Sequence, residues 1–356
     1  MAVECKGGHA PSGQGKGERT VHASETMDDA QPPMPARGEC WVITDHAAGN
    51  QRQALALAGY LRRPLRHLKL EPRAPWSWLS PRLVAGGRLA LPPAQRRLFA
   101  PPWPGLAIGC GRAAAVLTRQ LRALSDGYCR TVQILDPRID PRHWDLVIAP
   151  RHDGLDGPNV LRPLGSLNAV DDAWLDDGRT SCPALGELPG PRTGVLLGGP
   201  RRGIALDASY AQALLQALLA RHRREGGSVL VLGSRRTPAA LVEVFRQALR
   251  DVPGLVWAGP DDGRNPFPGV LGWADRLVVT PDSVNMLSEA CAVGCPVHTL
   301  VTAPLPPRIA RFHAALRAAA LLHDIDAEPP SPQPPLRETA ALAATLEARL
   351  ARVRDD

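Results

Sequence analysis

Four polar side chains stand among apolar residues in RLVVTPDSVNMLSEACAVGCPVHTL, residues 276–300: Asp282, Ser283, Asn285 and Glu289. The pattern predicts a strand, a tight loop, a helix and a second strand, and Asp282, Asn285 and Glu289 share one stripe of that helix. An ionised carboxylate among apolar neighbours is costly unless it has partners. The sequence therefore predicts that Glu289 binds a polar ligand such as a ribose. Asp282 or Ser283 could instead serve only as the helix cap.

Two glycine-containing loops with paired arginines lie in the same half of the chain. They are GGPRRG (198–203) and GSRRTP (233–238), and each follows a hydrophobic strand pattern. Backbone N–H groups of such loops bind phosphate oxygens, and one guanidinium group can bind two phosphate oxygens at once. Ligands of open parallel sheets bind beyond the carboxyl ends of the strands, so the repetition predicts a diphosphate site there. Its candidate residues are Gly199, Arg201, Arg202, Ser234, Arg235, Arg236 and Thr237.

The first half of the chain has two comparable turns. In TDHAAGNQRQ (44–53), Gly49 allows a tight turn and Asn50 can cap the following helix. Asp45, His46 and Gln53 would then face a cleft, although capping and turn formation alone explain most of this motif. In GCGRAA a glycine-flanked turn opens another helix, whose free N–H groups attract anions. The predicted acceptor-binding or anion-binding residues are Gly49, Asn50, Gln53, Gly111 and Arg112.

A proton acceptor is indicated by APRHDGLDGPNV (149–160), in which His152 and Asp153 follow another strand pattern. A neutral histidine near pH 7 suits removal of a proton from a sugar hydroxyl, and a carboxylate can orient the ring. A solvated turn is an equally good interpretation of these two residues. Asp45 is the third candidate for the catalytic base.

The elements that position these residues alternate as βαβ units, because short apolar runs alternate with helical patterns from Cys40 onward. We therefore predict an α/β protein with two Rossmann-like domains facing a cleft and with C-terminal helices that pack back across the first domain. The expected parts are a disordered leader (1–38), a first domain (39–170), a linker (171–192), a second domain (193–302) and the C-terminal helices (303–356).

Composition narrows the classes of function. The net charge of +7 on 356 residues comes from scattered arginines rather than from a basic stripe with aromatic residues, which argues against nucleic acid as a partner. The seven cysteines lack a metal-type spacing and predict reduced thiols in a cytoplasmic protein. No apolar run is long enough to cross a bilayer, so a membrane contact would be peripheral, at the inner face.

These motifs resemble those of the mitochondrial fission "elongated mitochondria" family, whose bacterial members are regarded as GT-B-type glycosyltransferases. The similarity covers residues 39–322 and runs through WVITDHAAGNQRQALALA, IGCGRAA, DLVIAPRHDGLDGPNVL, GSRRTP and NPFPGVLGWADRLVVTPDSVNMLSEACAVGCPV. It implies a nucleotide-sugar donor in the second domain, with Glu289 at the donor ribose and Ser283 and Asn285 near its phosphates or sugar. The plant relatives are associated with recruiting a dynamin-like protein to mitochondria.

We expect a metal-independent transferase that moves a sugar from a nucleotide-diphospho-sugar to an unidentified acceptor, for which a lipid-linked or cell-envelope glycan is one option. No further cofactor is expected, since arginines and helix dipoles can carry the diphosphate charge. Inverting and retaining reactions both stay open. The alternative is a non-catalytic adaptor whose surface, such as residues 308–322, binds a membrane or a partner protein. An NAD-dependent epimerase is excluded because TDHAAGNQ, and not GxGxxG, follows the first strand.

Overall fold

The computed structural model describes residues 38–352, so residues 1–37 of the predicted leader lie outside the described residues. The strands of the first sheet are β1 (Cys40–Thr44), β2 (Leu65–Lys69), β3 (Leu106–Cys110), β4 (Arg130–Ile134), β5 (Leu146–Ile148) and β6 (Val160–Leu161). They are parallel and lie in the order β2-β1-β3-β4-β5-β6.

The second sheet repeats this architecture with a different strand order. Its strands are β7 (Arg192–Leu197), β8 (Ser228–Gly233), β9 (Gly254–Trp257), β10 (Arg276–Val279), β11 (Val297–Thr299) and β12 (His323–Asp324). They are also parallel, in the order β12-β11-β10-β7-β8-β9. The prediction of two Rossmann-like α/β units is therefore confirmed.

Helices cover both sheets and connect their strands. They are α1 (Ala48–Gly59), α2 (Trp76–Leu79), α3 (Pro93–Arg96), α4 (Gly111–Leu124), α5 (Asp172–Ser181), α6 (Ala208–Glu225), α7 (Ala239–Ala248), α8 (Phe267–Trp273), α9 (Val284–Cys291), α10 (Pro307–Ala318) and α11 (Thr339–Arg352). Side chains cap several of them: Asp171, Asp207 and Ser283 accept backbone N–H groups in the first turns of α5, α6 and α9.

The central strands are buried on both faces, which is why their sequences are continuously hydrophobic. In β1, Val42 packs into a core on one face of the first sheet, and Trp41 and Ile43 pack into a core on the other face. Leu346 of α11 belongs to the same core as Val42, so the last helix packs across the first sheet. An ion pair between Arg63 and Glu347, at 2.8 Å, ties α11 to the chain just after α1.

The strand order reverses once in each sheet, and ligands of such sheets bind at this topological switch point. The switch point lies between β1 and β3 in the first sheet and between β7 and β10 in the second. The loops that follow these four strands, together with the helices α1, α4 and α9, contain most of the predicted site residues, and the others follow β5 and β8. The two switch points face each other, because α1 and α9 are in contact across the crevice between the sheets.

Some elements were not evident in the sequence. The predicted linker 171–192 contains α5, which packs on α8, and neither helix has a clear periodic pattern. Strands β6 and β12 have two residues each, too few for alternation to be visible. The free thiols Cys40, Cys110, Cys129 and Cys291 are buried, whereas Cys295 is partly exposed.

Candidate functional site

A buried carboxylate organises the switch point of the second sheet. Asp282 follows β10 and is completely inaccessible to solvent. Its Oδ1 accepts the Thr280 hydroxyl at 2.7 Å, while its Oδ2 accepts Nη2 of Arg236 at 2.7 Å and the Gly199 N–H at 3.3 Å. Arg201 donates to the backbone carbonyl of Asp282 at 2.8 Å. One residue thus connects the loops that follow β7, β8 and β10.

The two glycine loops touch each other directly. The Thr237 hydroxyl lies 2.8 Å from the Leu197 carbonyl oxygen and 2.5 Å from that of Gly198. A Cβ atom at Gly199 would collide with the carbonyl of Arg236, and a Cβ atom at Gly198 would collide with the carboxylate that organises this switch point. Close approach of a backbone carbonyl at Gly199, and of a buried side chain at Gly198, is therefore the reason for glycine at these positions.

These contacts change the interpretation of the predicted diphosphate site. The Gly199 N–H and the Arg236 guanidinium, which were expected to bind phosphate, are bonded to a carboxylate of the protein itself. Ser234 and Thr237 bond each other through their hydroxyls at 2.9 Å. Arg202 and Arg235 are exposed, and neither forms an ion pair within residues 38–352. They are the two members of the set that are open to an incoming anion.

Glu289 lies in the second turn of α9, where it is only 6% exposed. Its Oε1 forms an ion pair with Nη1 of Arg52 at 3.0 Å, across the crevice. Its Oε2 is buried and has no hydrogen-bond partner in the described part of the chain. Burial raises the pKa of Glu289 to about 6, and the nearby Arg52 opposes that rise. A buried carboxylate oxygen without a partner is the kind of group that a ligand satisfies.

The N-terminal half of α1 lies against α9. Gln53 is buried and donates to Oδ1 of Asn285 at 3.5 Å, a long hydrogen bond. A Cβ atom at Gly49 would lie 2.5 Å from Nδ2 of Asn285, so this glycine allows the two helices to approach. Ser283 accepts the Met286 N–H at 3.3 Å and therefore caps α9, as one of the two interpretations of the sequence predicted.

The switch point of the first sheet contains Asp45, Asn50 and Gly111. The two carboxylate oxygens of Asp45 each accept Nδ2 of Asn50 at 3.1 Å, and Oδ1 also accepts the Ala47 N–H at 2.9 Å. Gly111 begins α4 with a φ of 84° and a Cβ atom there would collide with the Asn50 amide, so both its backbone and its surroundings favour glycine. Asn50 supports the loop after β1 and does not cap α1 with its side chain.

Arg112 points away from the crevice into the segment between β2 and β3. Its Nε donates to the Ser80 carbonyl at 2.7 Å, and its Nη2 donates to the Trp78 carbonyl at 2.8 Å. Ser80 returns a hydrogen bond to the Arg112 carbonyl at 2.6 Å. An anion-binding role for Arg112 stays a prediction that would require these bonds to break.

His152 and Asp153 lie in a contact between the two halves of the chain. Asp153 forms an ion pair with Arg308 of α10, and Arg311 donates to the His152 carbonyl at 3.0 Å. The His152 ring is buried against Phe312. Burial, aided by the positive charge of Arg308, lowers the pKa of His152 to about 4. These residues therefore connect α10 to the loop after β5, and their predicted catalytic roles stay untested.

Two arginines important to the site were not singled out from the sequence. Arg52 stands in the quoted motif NQRQ, and Arg308 follows a pair of prolines that begins α10. Arginine is so frequent in this chain that neither carried a distinct signal. Each forms an ion pair with an acidic residue far away in sequence, Glu289 or Asp153, which only the fold brings close.

The described residues contain neither a cluster of metal-binding side chains nor a membrane-spanning helix. In the range 38–352, no group of three or more His, Cys, Asp and Glu side chains has an arrangement suited to a metal ion. Over the same range, every helix is too short or too polar to cross a membrane.

The comparisons with known structures concern the fold. The UDP-GlcNAc 2-epimerase of Methanocaldococcus jannaschii superposes with a TM-score of 0.51 and 8% identity, covering 87% of this chain and 99% of the epimerase. A Listeria monocytogenes protein described as a UDP-N-acetylglucosamine 2-epimerase gives a TM-score of 0.57 and 12% identity, covering 90% and 98% of the two chains. This chain therefore shares the arrangement of two Rossmann-like units found in GT-B-like proteins.

Sequence relatives are closer. Mitochondrial fission protein ELM1 of Arabidopsis thaliana is 30% identical over an alignment of 292 residues, and the alignment covers 72% of this chain but only 66% of the plant protein. An uncharacterized protein of Rickettsia prowazekii (strain Madrid E) is 24% identical over 294 residues, covering 72% of this chain and 82% of that protein. The family described as Mitochondrial fission ELM1 matches residues 48–350. The chain belongs to this family.

Proposed function

We propose that the protein binds a nucleotide-diphospho-sugar in the crevice between its two sheets and transfers the sugar to an acceptor, as a GT-B-type glycosyltransferase. The observation that carries the proposal is Oε2 of Glu289, a buried carboxylate oxygen without a partner among residues 38–352. Two adjacent ribose hydroxyls are donors that would satisfy it. The M. jannaschii relative in fold acts, by its name, on a UDP-sugar.

The exposed arginines Arg202 and Arg235 would bind the diphosphate. Both follow strands of the second sheet at the edge where α9 begins. Ser283 and Asn285 stand at that N-terminus, whose helix dipole favours negative charge. Guanidinium groups and the dipole would together balance the diphosphate charge, so the proposed transfer involves no metal ion and no further cofactor.

In the proposed reaction the acceptor hydroxyl oxygen bonds to the anomeric carbon of the sugar. The bond from that carbon to the diphosphate oxygen breaks, the electron pair leaves with the nucleoside diphosphate, and a base takes the hydroxyl proton. Asp45 is the base candidate at the crevice, and its carboxylate is bonded only to neutral groups. Asp153 is already paired with Arg308, and His152, with its pKa near 4, would be a weak base.

The test is thermal unfolding of the protein with UDP, GDP, ADP, CMP, dTDP and their sugars. Ligands that bind only the folded state raise the melting temperature, by roughly 5 °C at about 100 times Kd. We expect one nucleotide to give this rise and Glu289→Gln to abolish it. The matched control is Glu347→Gln, which breaks another glutamate-arginine pair near α1, outside the crevice. No rise with any nucleotide, or a rise that persists in Glu289→Gln, would contradict the proposal.

One observation favours a second candidate, a non-catalytic adaptor. The Gly199 N–H and Arg236, which resemble phosphate-binding groups, are occupied by the Asp282 carboxylate. A protein that has kept the fold but lost sugar transfer would tolerate such an arrangement. In cells lacking the endogenous protein, an adaptor should keep its function with Glu289→Gln and Arg235→Ala, provided both variants fold. A transferase should lose function with either.

A further inference from the structure

The segment between β2 and β3 carries an unusual combination of charge and exposed apolar side chains. We call residues 71–104 the arginine-rich cover. From residue 72 to residue 125, which includes α4, the sequence has eight arginines and no acidic residue. The whole chain has a net charge of only +7, so this stretch accounts for the entire positive excess. The expectation of scattered arginines therefore does not hold for this part of the chain.

Most of this charge is not neutralised by the fold. The guanidinium groups that have partners are bonded mainly to backbone carbonyls, as for Arg73 with Leu89 and Arg88 with Arg96. Only Arg122 approaches a carboxylate, that of Asp145 at 3.7 Å. The other seven arginines form no ion pair with any described residue; they are Arg73, Arg82, Arg88, Arg96, Arg97, Arg112 and Arg119.

Large apolar side chains of the arginine-rich cover are exposed among these arginines. Trp78 is 74% exposed, and Leu79, Leu89 and Leu98 are between 42% and 52% exposed. Contacts within the cover bring its parts together: Arg73 stacks on Trp76 and bonds the Leu89 carbonyl, and Arg88 bonds the Arg96 carbonyl. Most other exposed large apolar residues of the described chain are scattered singly, for example Val244 and Val301 in the second half.

The arginine-rich cover lies along the whole length of α4. Arg112, in the first turn of α4, bonds the Trp78 carbonyl, and Gln120 bonds the Val84 carbonyl at 3.0 Å. Leu124, at the end of the helix, lies beside Gly87. A helix of 14 residues is about 20 Å long, so the surface is extended. Trp78 lies at the end nearest the crevice, because α4 begins directly after β3.

We propose that the arginine-rich cover is a docking surface for an anionic lipid bilayer. Tryptophan and leucine side chains enter the boundary between headgroups and acyl chains, while arginines reach anionic headgroups with their apolar stems in the boundary. A nucleic acid is a poorer fit, because Trp78 alone among the four exposed apolar side chains offers a ring on which a base could stack. The surface lies beside the edge at which the proposed acceptor enters, but the docking proposal does not depend on sugar transfer.

The test is sedimentation of the full chain with vesicles. We expect binding to phosphatidylcholine mixed with phosphatidylglycerol, little binding to phosphatidylcholine alone, and loss of binding at high salt. Arg82→Glu with Arg97→Glu should weaken binding at least about 25-fold, from roughly fivefold for each arginine lost. Trp78→Ser with Leu79→Ser should weaken it about tenfold or more. All four positions are exposed, so the melting temperature should stay unchanged.

Two control proteins carry the same chemical changes elsewhere. Arg223→Glu with Arg250→Glu removes equal charge, and Val244→Ser with Val301→Ser removes exposed apolar surface in the second half. Both should bind vesicles as the unaltered protein does. Equal losses in the controls would leave only a non-specific charge effect and overturn the proposal. The proposal would also be overturned if the protein failed to bind anionic vesicles and bound single-stranded DNA through its arginine-rich cover instead.

Discussion

Asp282 and Glu289 are buried carboxylates on the same loop and helix, yet their surroundings differ. Asp282 receives hydrogen bonds on both oxygens, all from groups in the second half of the chain. Glu289 has an arginine from the first half on one oxygen and nothing on the other within the described residues. Both were predicted as donor-binding residues from the same stripe of one helix. In the structure the two carboxylates differ in how many of their oxygens have a partner.

The difference teaches how a buried charge can serve two purposes. A carboxylate whose partners all belong to the protein holds elements together, and removal of it leaves those partners unsatisfied. A carboxylate with an unused oxygen costs stability until something binds it. We therefore regard the region around Asp282 as the support of the switch point and the face around Glu289 as its ligand-binding part. Four substitutions test this division.

The largest effect should come from Asp282→Ala. It leaves the Gly199 N–H and the Thr280 hydroxyl without their acceptor and separates three loops. We expect the free energy of unfolding to fall by about 3 kcal/mol in denaturant titration at pH 7. The control is Asp207→Ala, the loss of an aspartate that caps α6 from an exposed position, which should lower the free energy of unfolding by clearly less. Equal losses in the two variants would show that Asp282 is no more than a cap.

Gly199→Ala should have the next largest effect, because its new methyl group would collide with the Arg236 carbonyl. Because the two loops would be forced apart, the free energy of unfolding in denaturant titration should fall by about 2 kcal/mol. Gly59→Ala is the control, since nothing lies within 4 Å of a Cβ atom at that helical position; it should be neutral or slightly stabilising. If Gly199→Ala left stability unchanged but abolished nucleotide binding, the glycine would serve the ligand and not the support.

The fold could be predicted from the sequence more fully than the site. Hydrophobic runs and helical periods identify most strands and the long helices because burial on both faces leaves a continuous local pattern. The loops GGPRRG and GSRRTP were also recognised, but a local pattern does not say which anion their groups bind. That depended on Asp282, which lies more than forty residues away in sequence from either loop. The partners Arg52 and Arg308 likewise depend on contacts between distant segments.

Glu289→Gln should show its effect through pH. The pKa of Glu289 is about 6 in the folded protein and near 4.5 when unfolded, so the folded state binds more protons between these values. The contribution of Glu289 to the free energy of unfolding is therefore most favourable below pH 4.5, and it falls as pH rises to about 6. Glutamine has no such loss, so the variant should gain about 2 kcal/mol over the unaltered protein between pH 4 and pH 8. The measurement is the difference between two curves of unfolding free energy against pH.

Glu243→Gln is the control for this curve, because Glu243 is exposed on α7. The difference curve of Glu289→Gln should change more between pH 4 and pH 8 than that of this control. Two curves of the same shape would mean that the Glu289 carboxylate is solvated in the folded protein, and its assignment as the ligand-binding group would be wrong. A gain in stability combined with lost nucleotide binding would instead show that the protein keeps a destabilising charge for the sake of its ligand.

Arg52→Ala should have the smallest effect, and that effect should appear only above about pH 6. The Arg52 side chain is 52% exposed, so its ion pair with Glu289 is partly screened and should contribute no more than about 1 kcal/mol. Below pH 4.5 Glu289 is protonated and the pair contributes little. Arg62→Ala, the removal of an exposed arginine with no ion pair among the described residues, is the control and should change nothing at either pH.

The double variant Arg52→Ala with Glu289→Gln decides what the pair does across the crevice. If Arg52 acts only through the Glu289 charge, its removal should cost nothing once glutamine is present. The long Gln53–Asn285 bond would then be the remaining polar contact described between α1 and α9. Other bonds would still join the halves, such as those of α10 with the loop after β5 and that of the Ser166 N–H with Ser288, so nucleotide could compete with Arg52 for Glu289 without separating them. If removal of Arg52 still lowered the free energy of unfolding in the double variant, Arg52 would support the interface by packing. The face around Glu289 would then hold the two halves together as well as bind the ligand.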